Sequence, residues 1–142
     1  MINYYALAVG AAVVVFVIFY FKKTGHENYN IAYPVLLATF PVYYWFFSIY
    51  SNDYNALFYE VIVGILFIVS AGLAYKMSRM KSLALLALAF ICHGIYDIIH
   101  TTIYSHSVAP SWWPEFCGVI DVFLGLYMLS LMKWNKSQKV SD

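Results

Sequence analysis

Apolar residues fall in five long blocks along the chain, and the polar residues collect between them. The blocks run from about Tyr4 to Phe21, Ile31 to Ile49, Tyr54 to Tyr75, Ser82 to Tyr104 and Trp112 to Met132. Each approaches the roughly 20 residues that a helix rising about 1.5 Å per residue needs to cross a hydrocarbon core about 30 Å thick. The strands of a membrane barrel would alternate apolar and polar positions, whereas AVGAAVVVFVIFYF and LALLALAF are apolar on every side. The pattern therefore predicts an all-α fold, a five-helix transmembrane bundle forming one domain over residues 1–142.

Composition agrees, since 63% hydrophobic against 11% charged residues is far from the balance of a water-soluble domain. Charge placement adds an orientation. The eight Lys and Arg residues all lie in alternate connections: Lys22 and Lys23 after the first span, Lys76, Arg79 and Lys81 between the third and fourth, and Lys133, Lys136 and Lys139 after the fifth. Cytoplasmic loops retain positive residues, so the N-terminus is expected outside and the C-terminus in the cytoplasm of a multi-pass inner-membrane protein. Trp112 and Trp113 at one end of the fifth span and Trp134 at the other suit the two interfaces. With a formal net charge of +1 and no basic groove, nucleic acid is excluded as a partner. Cys92 and Cys117 lack C-x-x-C spacing and are expected to be small buried residues.

The informative residues are those that do not belong in hydrocarbon. A charge at the bilayer centre costs at least about 2.5–3.5 kcal/mol, so an ionisable residue inside a span points to function or to a partner. The third span carries Glu60, the fourth His93, Asp97 and His100, and the fifth Glu115 and Asp121. The first two carry none and are expected to shield the others. At about 100° per residue, His93, Asp97 and His100 project within roughly 60° of one another on one helix face, which Tyr104 continues. Asp97 lies roughly 6 Å and His100 roughly 10 Å closer to the outer end than His93, at the depth of Glu60 and Asp121. Gly64 beside Glu60, and Gly118 and Gly125 beside Asp121, permit close helix approach. Glu115 is placed near the outer interface, within reach of water.

Such a cluster is satisfied by a metal ion, by shared protons, or by interhelical hydrogen bonds that merely fix the bundle. Imidazole with carboxylate suits zinc, iron or manganese, which makes His93, Asp97, His100, Asp121 and Glu60 the candidate ligands of a divalent transition metal. No soluble-type H-E-x-x-H match is present. Other chemistries lack their residues. No span holds a lysine for a retinal Schiff base, and both intramembrane histidines belong to one helix, which disfavours haem held between facing helices. Pro34 and Pro41 allow a discontinuous second helix or a simple kink.

HGIYDIIH, from His93 to His100, followed by PSWWPEFCGVID, from Pro110 to Asp121, resembles a family of small bacterial integral membrane proteins of unknown function. Their pattern is similar to H-G-x-[WY]-D-x-x-H followed by P-x-W-[YW]-P-x-F-C-x-x-x-D, with an acidic residue in an earlier span where Glu60 stands. The likeness covers the C-terminal half and implies a bacterial inner membrane and the same site residues, but no reaction. A second histidine often follows the position of His100 in that pattern. This chain has Thr101 there, so a site relying on the extra imidazole would be one ligand short.

Together these features lead to the expectation of a metal-binding membrane protein acting as a metal-dependent hydrolase on a lipid-like substrate. Asp97 and Glu60 are its candidate catalytic acids and bases, and Tyr104 and His106 the candidates for holding a substrate headgroup. Proton or cation translocation through the same cluster is the alternative. A third is an accessory role in a larger membrane complex or homo-oligomer.

Overall fold

A computed structural model describes residues 2–103 and 108–141, with side chains described for residues 2–100 and 108–134. Among these residues the chain is all-helical. There are five long helices, α1 (Tyr4–Lys23), α2 (Ala32–Tyr50), α3 (Tyr54–Lys76), α4 (Arg79–Ile103) and α5 (Trp113–Ser141), with short connections between consecutive helices from α1 to α4 and a 3₁₀ turn at His26–Asn28. All five contain a stretch long and apolar enough to cross a membrane.

The helix ends follow from local chemistry. Asn3 caps α1 by accepting the Ala6 N–H at 3.0 Å, and Asp53 caps α3 by accepting that of Ala56 at 2.9 Å. After Lys22 and Lys23, Gly25 at φ 75° turns the chain into the 3₁₀ segment, a left-handed conformation that glycine adopts without strain. Pro34 lies in the first turn of α2, where its missing N–H costs no internal bond. Pro41 lies inside the helix, yet α2 runs from Ala32 to Tyr50 without a break, so the discontinuous alternative is not what the sequence adopts.

The helices are ordered by packing as α1, α5, α4, α3, α2, with α4 against α5 the most extensive pair and α2 reaching back onto α4. Half of the α4 span is buried, against 17% for α1 and α3, which makes α4 the centre of the bundle. Close approaches at glycines set these contacts. A methyl at Gly125 would lie 2.6 Å from Ile91 Cγ1 and 3.0 Å from the Ala87 carbonyl oxygen, and one at Gly64 would lie 2.9 Å from Pro41 Cβ.

The apolar core divides in two. The larger part, with Val14, Leu37, Leu86, Phe90, Leu124 and Met128, fills the half of the bundle nearer the basic turns. The smaller part, Tyr44, Ala109, Trp113 and Cys117, closes the opposite end. The outward faces are also apolar, with Val9, Phe16, Ile65, Leu66, Leu88, Ile98 and Leu126 exposed, as a helix bundle solvated by lipid requires. Cys92 is among the outward-facing residues rather than buried, because the helix face opposite His93 and Phe90 looks away from the core. Cys117 is buried as expected.

Candidate metal centre

Between the two apolar clusters lies a polar layer built on α4. His93, Asp97 and His100 are all buried, as are Glu60 on α3 and Asp121 on α5. The spacing of α4 turns its three polar residues inward, but they do not share one partner set.

His93 and Asp97 form a group with Asp121. The imidazole Nδ1–H of His93 donates to Asp121 Oδ2 at 2.8 Å and lies 3.5 Å from Asp97 Oδ2. One ligand atom from each of the three lies within 4.8 Å of the others, the spacing of a site able to hold a metal ion. Tyr44 of α2 donates its hydroxyl to Asp97 Oδ1 at 2.8 Å, which fixes the carboxylate and turns its second oxygen toward His93. Asp97 Oδ2 and Asp121 Oδ1 are buried without a hydrogen-bond partner.

His100 and Glu60 form a separate pair, with Nε2 and Oε1 2.5 Å apart. The other carboxylate oxygen of Glu60 accepts the Tyr96 hydroxyl at 2.9 Å, and its backbone carbonyl accepts the Trp45 indole N–H at 3.0 Å. Glu60 is thus buried in a network rather than reaching for water. Aromatic rings link the two groups: Tyr44 packs on His100 with centroids 4.5 Å apart, and Tyr96 stands edge-on to both Tyr44 and His100. On the side of the larger core, Phe67 meets the His93 ring edge-on at 4.6 Å, with Phe40 at 5.8 Å.

Charge counting separates the groups. A protonated His100 against an ionised Glu60 would be a neutral pair, and the Tyr96 hydroxyl donates to the same carboxylate. Protonated His93 against Asp97 and Asp121 leaves one negative charge over, in surroundings with no lysine or arginine. An uncompensated buried charge costs several kcal/mol, so this group needs a further cation or proton. A divalent ion held by both carboxylates and a neutral imidazole would be neutral overall and would use the orphaned oxygens. The residues present therefore fit a metal.

The remaining candidates fall elsewhere. Glu115, expected at the interface, is half-buried; Oε1 accepts the Asn3 backbone N–H at 3.4 Å, while Oε2 is buried without a partner. It ties the start of α1 to the start of α5 and is not in the His93 group. Tyr104 and His106 lie outside the described residues. The second helix does more than shield, because Tyr44 and Trp45 both bond to the polar layer. Neither stood out among 14 tyrosines and 4 tryptophans, most of which the membrane interface would explain equally well. Tyr96 was more legible, lying inside the HGIYDIIH segment at helical spacing from both histidines. Comparison of the chain with family models, with curated proteins and with solved structures found no match.

Proposed function

We propose that this is a metal-binding membrane protein in which His93, Asp97 and Asp121 hold one divalent transition metal, and that it hydrolyses a lipid-like substrate entering from the outer leaflet. The observation carrying the proposal is the group of two buried carboxylates and one imidazole, with two oxygens unpartnered and one negative charge in excess. Three protein ligands leave positions open, the arrangement of catalytic rather than structural metal sites. One nitrogen with carboxylate oxygens favours manganese or iron over zinc. When bound, such an ion polarises water or an ester oxygen.

The chain's own residues supply the rest. Tyr44 orients Asp97, Phe40 and Phe67 exclude water from the side of His93, and Glu60 with His100 forms a neighbouring pair able to take up and return a proton. In this reading Glu60 and His100 lie beside the metal rather than on it. The topology that goes with this reading has the N-terminus outside and the C-terminus in the cytoplasm, as the alternating positive charges suggest.

Translocation of protons or cations is less well supported. Val14, Leu37, Leu86, Phe90, Leu124 and Met128 pack in the half of the bundle beyond His93 and offer no titratable relay between His93 and the Glu27, Tyr33 and Tyr127 group at its far end.

The test is elemental analysis of purified full-length protein in detergent. The wild type and His100→Ala should carry about one metal per chain and His93→Ala and Asp121→Asn none, with Glu115→Gln unaffected. Loss of metal from His100→Ala would merge the two groups into one site. Absence of metal from the wild type, with no rise in melting temperature on adding Zn²⁺, Mn²⁺ or Fe²⁺, would replace the metal by a shared proton.

A further inference from the structure

A cavity lies at the basic end of the bundle. It measures about 1070 Å³, at the upper limit of the roughly 300–1,000 Å³ usual for small-molecule sites. Its walls come from the end of α1 (Lys22), the 3₁₀ turn (Glu27, Asn28), the start of α4 (Arg79) and the second half of α5 (Tyr127, Trp134). Asn30 builds one side by donating its amide to the Met77 carbonyl at 3.4 Å, which pins the approach to α2 against the turn between α3 and α4.

The charges in this cavity are arranged unusually. Among the described lining residues Glu27 is the only acid, and its Oε2 accepts two tyrosine hydroxyls, Tyr127 at 2.5 Å and Tyr33 at 3.4 Å. Among the described residues every ion pair is made by His93 or His100, so neither Lys22 nor Arg79 is engaged by Glu27. Among the described residues, two cations therefore face the cavity while its one carboxylate is occupied by neutral donors. Arg79 also opens α4, whose first-turn N–H groups add partial positive charge at the same place. The exposed indole of Trp134 and the side chains of Met80 and Leu131 give the rim an apolar, interfacial character.

We propose that this cavity binds the headgroup of an anionic phospholipid, with its phosphate between Lys22 and Arg79 and a headgroup hydroxyl directed to Glu27. Basic pockets between membrane helices are where such headgroups bind. A phosphate diester suits the excess of one cation, and a glycerol hydroxyl can donate to the remaining lone pairs of the carboxylate. The acyl chains would leave past Trp134 along the apolar outer surface. This inference rests on the basic cavity alone and stands whether or not the polar layer holds a metal.

The test is native mass spectrometry of the full-length protein released from detergent with added phosphatidylglycerol, with phosphatidylcholine as the zwitterionic comparison. Phosphatidylglycerol should be retained in preference to phosphatidylcholine. Lys22→Gln and Arg79→Gln should each weaken it about fivefold, the effect of one basic residue at a membrane surface. Lys23→Gln, whose charge lies over the Phe19 ring and outside the cavity, should leave it unchanged. Circular dichroism of each variant separates loss of binding from loss of fold, and Lys22→Gln serves if Arg79→Gln does not fold. Equal retention by wild type and both cavity variants would overturn the proposal, as would an equal loss in Lys23→Gln, which would mean diffuse surface attraction. Displacement of the lipid by millimolar glycerol phosphate would reassign the cavity to a soluble phosphate and overturn the lipid reading.

Discussion

Replacing Gly94 by alanine tests whether the approach of α4 to α5 holds the candidate centre together. The new methyl would lie 3.0 Å from Asp121 Cβ, 3.2 Å from the Gly118 carbonyl oxygen and 3.2 Å from Val122 Cγ2. Carbon atoms prefer about 3.5–4.0 Å, so the helices must part locally by about 0.5 Å. The same movement would stretch the 2.8 Å contact between His93 and Asp121 to about 3.3 Å, beyond the normal range of an N–H···O bond. Overpacking of this kind costs about 1–3 kcal/mol, and here it falls on a pair of proposed metal ligands as well. Glycines elsewhere provide the scale. An alanine at Gly10 would lie 2.6 Å from the Phe116 carbonyl oxygen and overlap Val119, at the contact of α1 with α5 and away from the polar layer. An alanine at Gly72 would meet nothing within 4 Å. Unfolding by sodium dodecyl sulfate in mixed micelles, followed by circular dichroism, should rank stability as Gly72→Ala, then Gly94→Ala, then Gly10→Ala. Metal content should fall only in Gly94→Ala. A Gly94→Ala protein as stable as Gly72→Ala, with its metal intact, would refute the idea that this contact sets the geometry of the site.

Two further outcomes follow from the same structure. Tyr44→Phe keeps the ring that packs on His100 but removes the hydroxyl from Asp97; it should lower stability by about 1.5–3 kcal/mol, as expected for a bond to a charged group, and weaken metal binding 10–100-fold in a competition titration against a chelator. A reporter active only outside the cytoplasm should be active when fused at Ser107 and silent at Ser78, and the reverse pattern would invert the proposed topology.

The five helices were legible in the sequence because a bilayer imposes one length and one polarity on whatever crosses it. Span ends read from the apolar blocks differ from the helices by only a few residues, except that α5 runs on to Ser141, past the apolar stretch ending near Met132. A helix needs no lipid to continue beyond the interface, so hydropathy cannot mark its end. The inward face of α4 was equally legible, since His93, Asp97 and His100 could not all face hydrocarbon. Their partners were not. Helical periodicity fixes the direction of a side chain within its own helix, but the pairing of His93 with Asp121 and of His100 with Glu60 depends on how far each neighbouring helix is shifted along its axis. That shift is set by contacts such as Gly125 against Ala87 and Gly64 against Pro41. The same shifts bring Tyr44 from an apparently featureless span onto Asp97, and close Glu27 against Tyr127 across 100 residues of sequence. The sequence by itself determined that this chain is a membrane bundle with a polar interior; tertiary packing alone decided that His93 meets Asp97 and Asp121 while His100 meets Glu60.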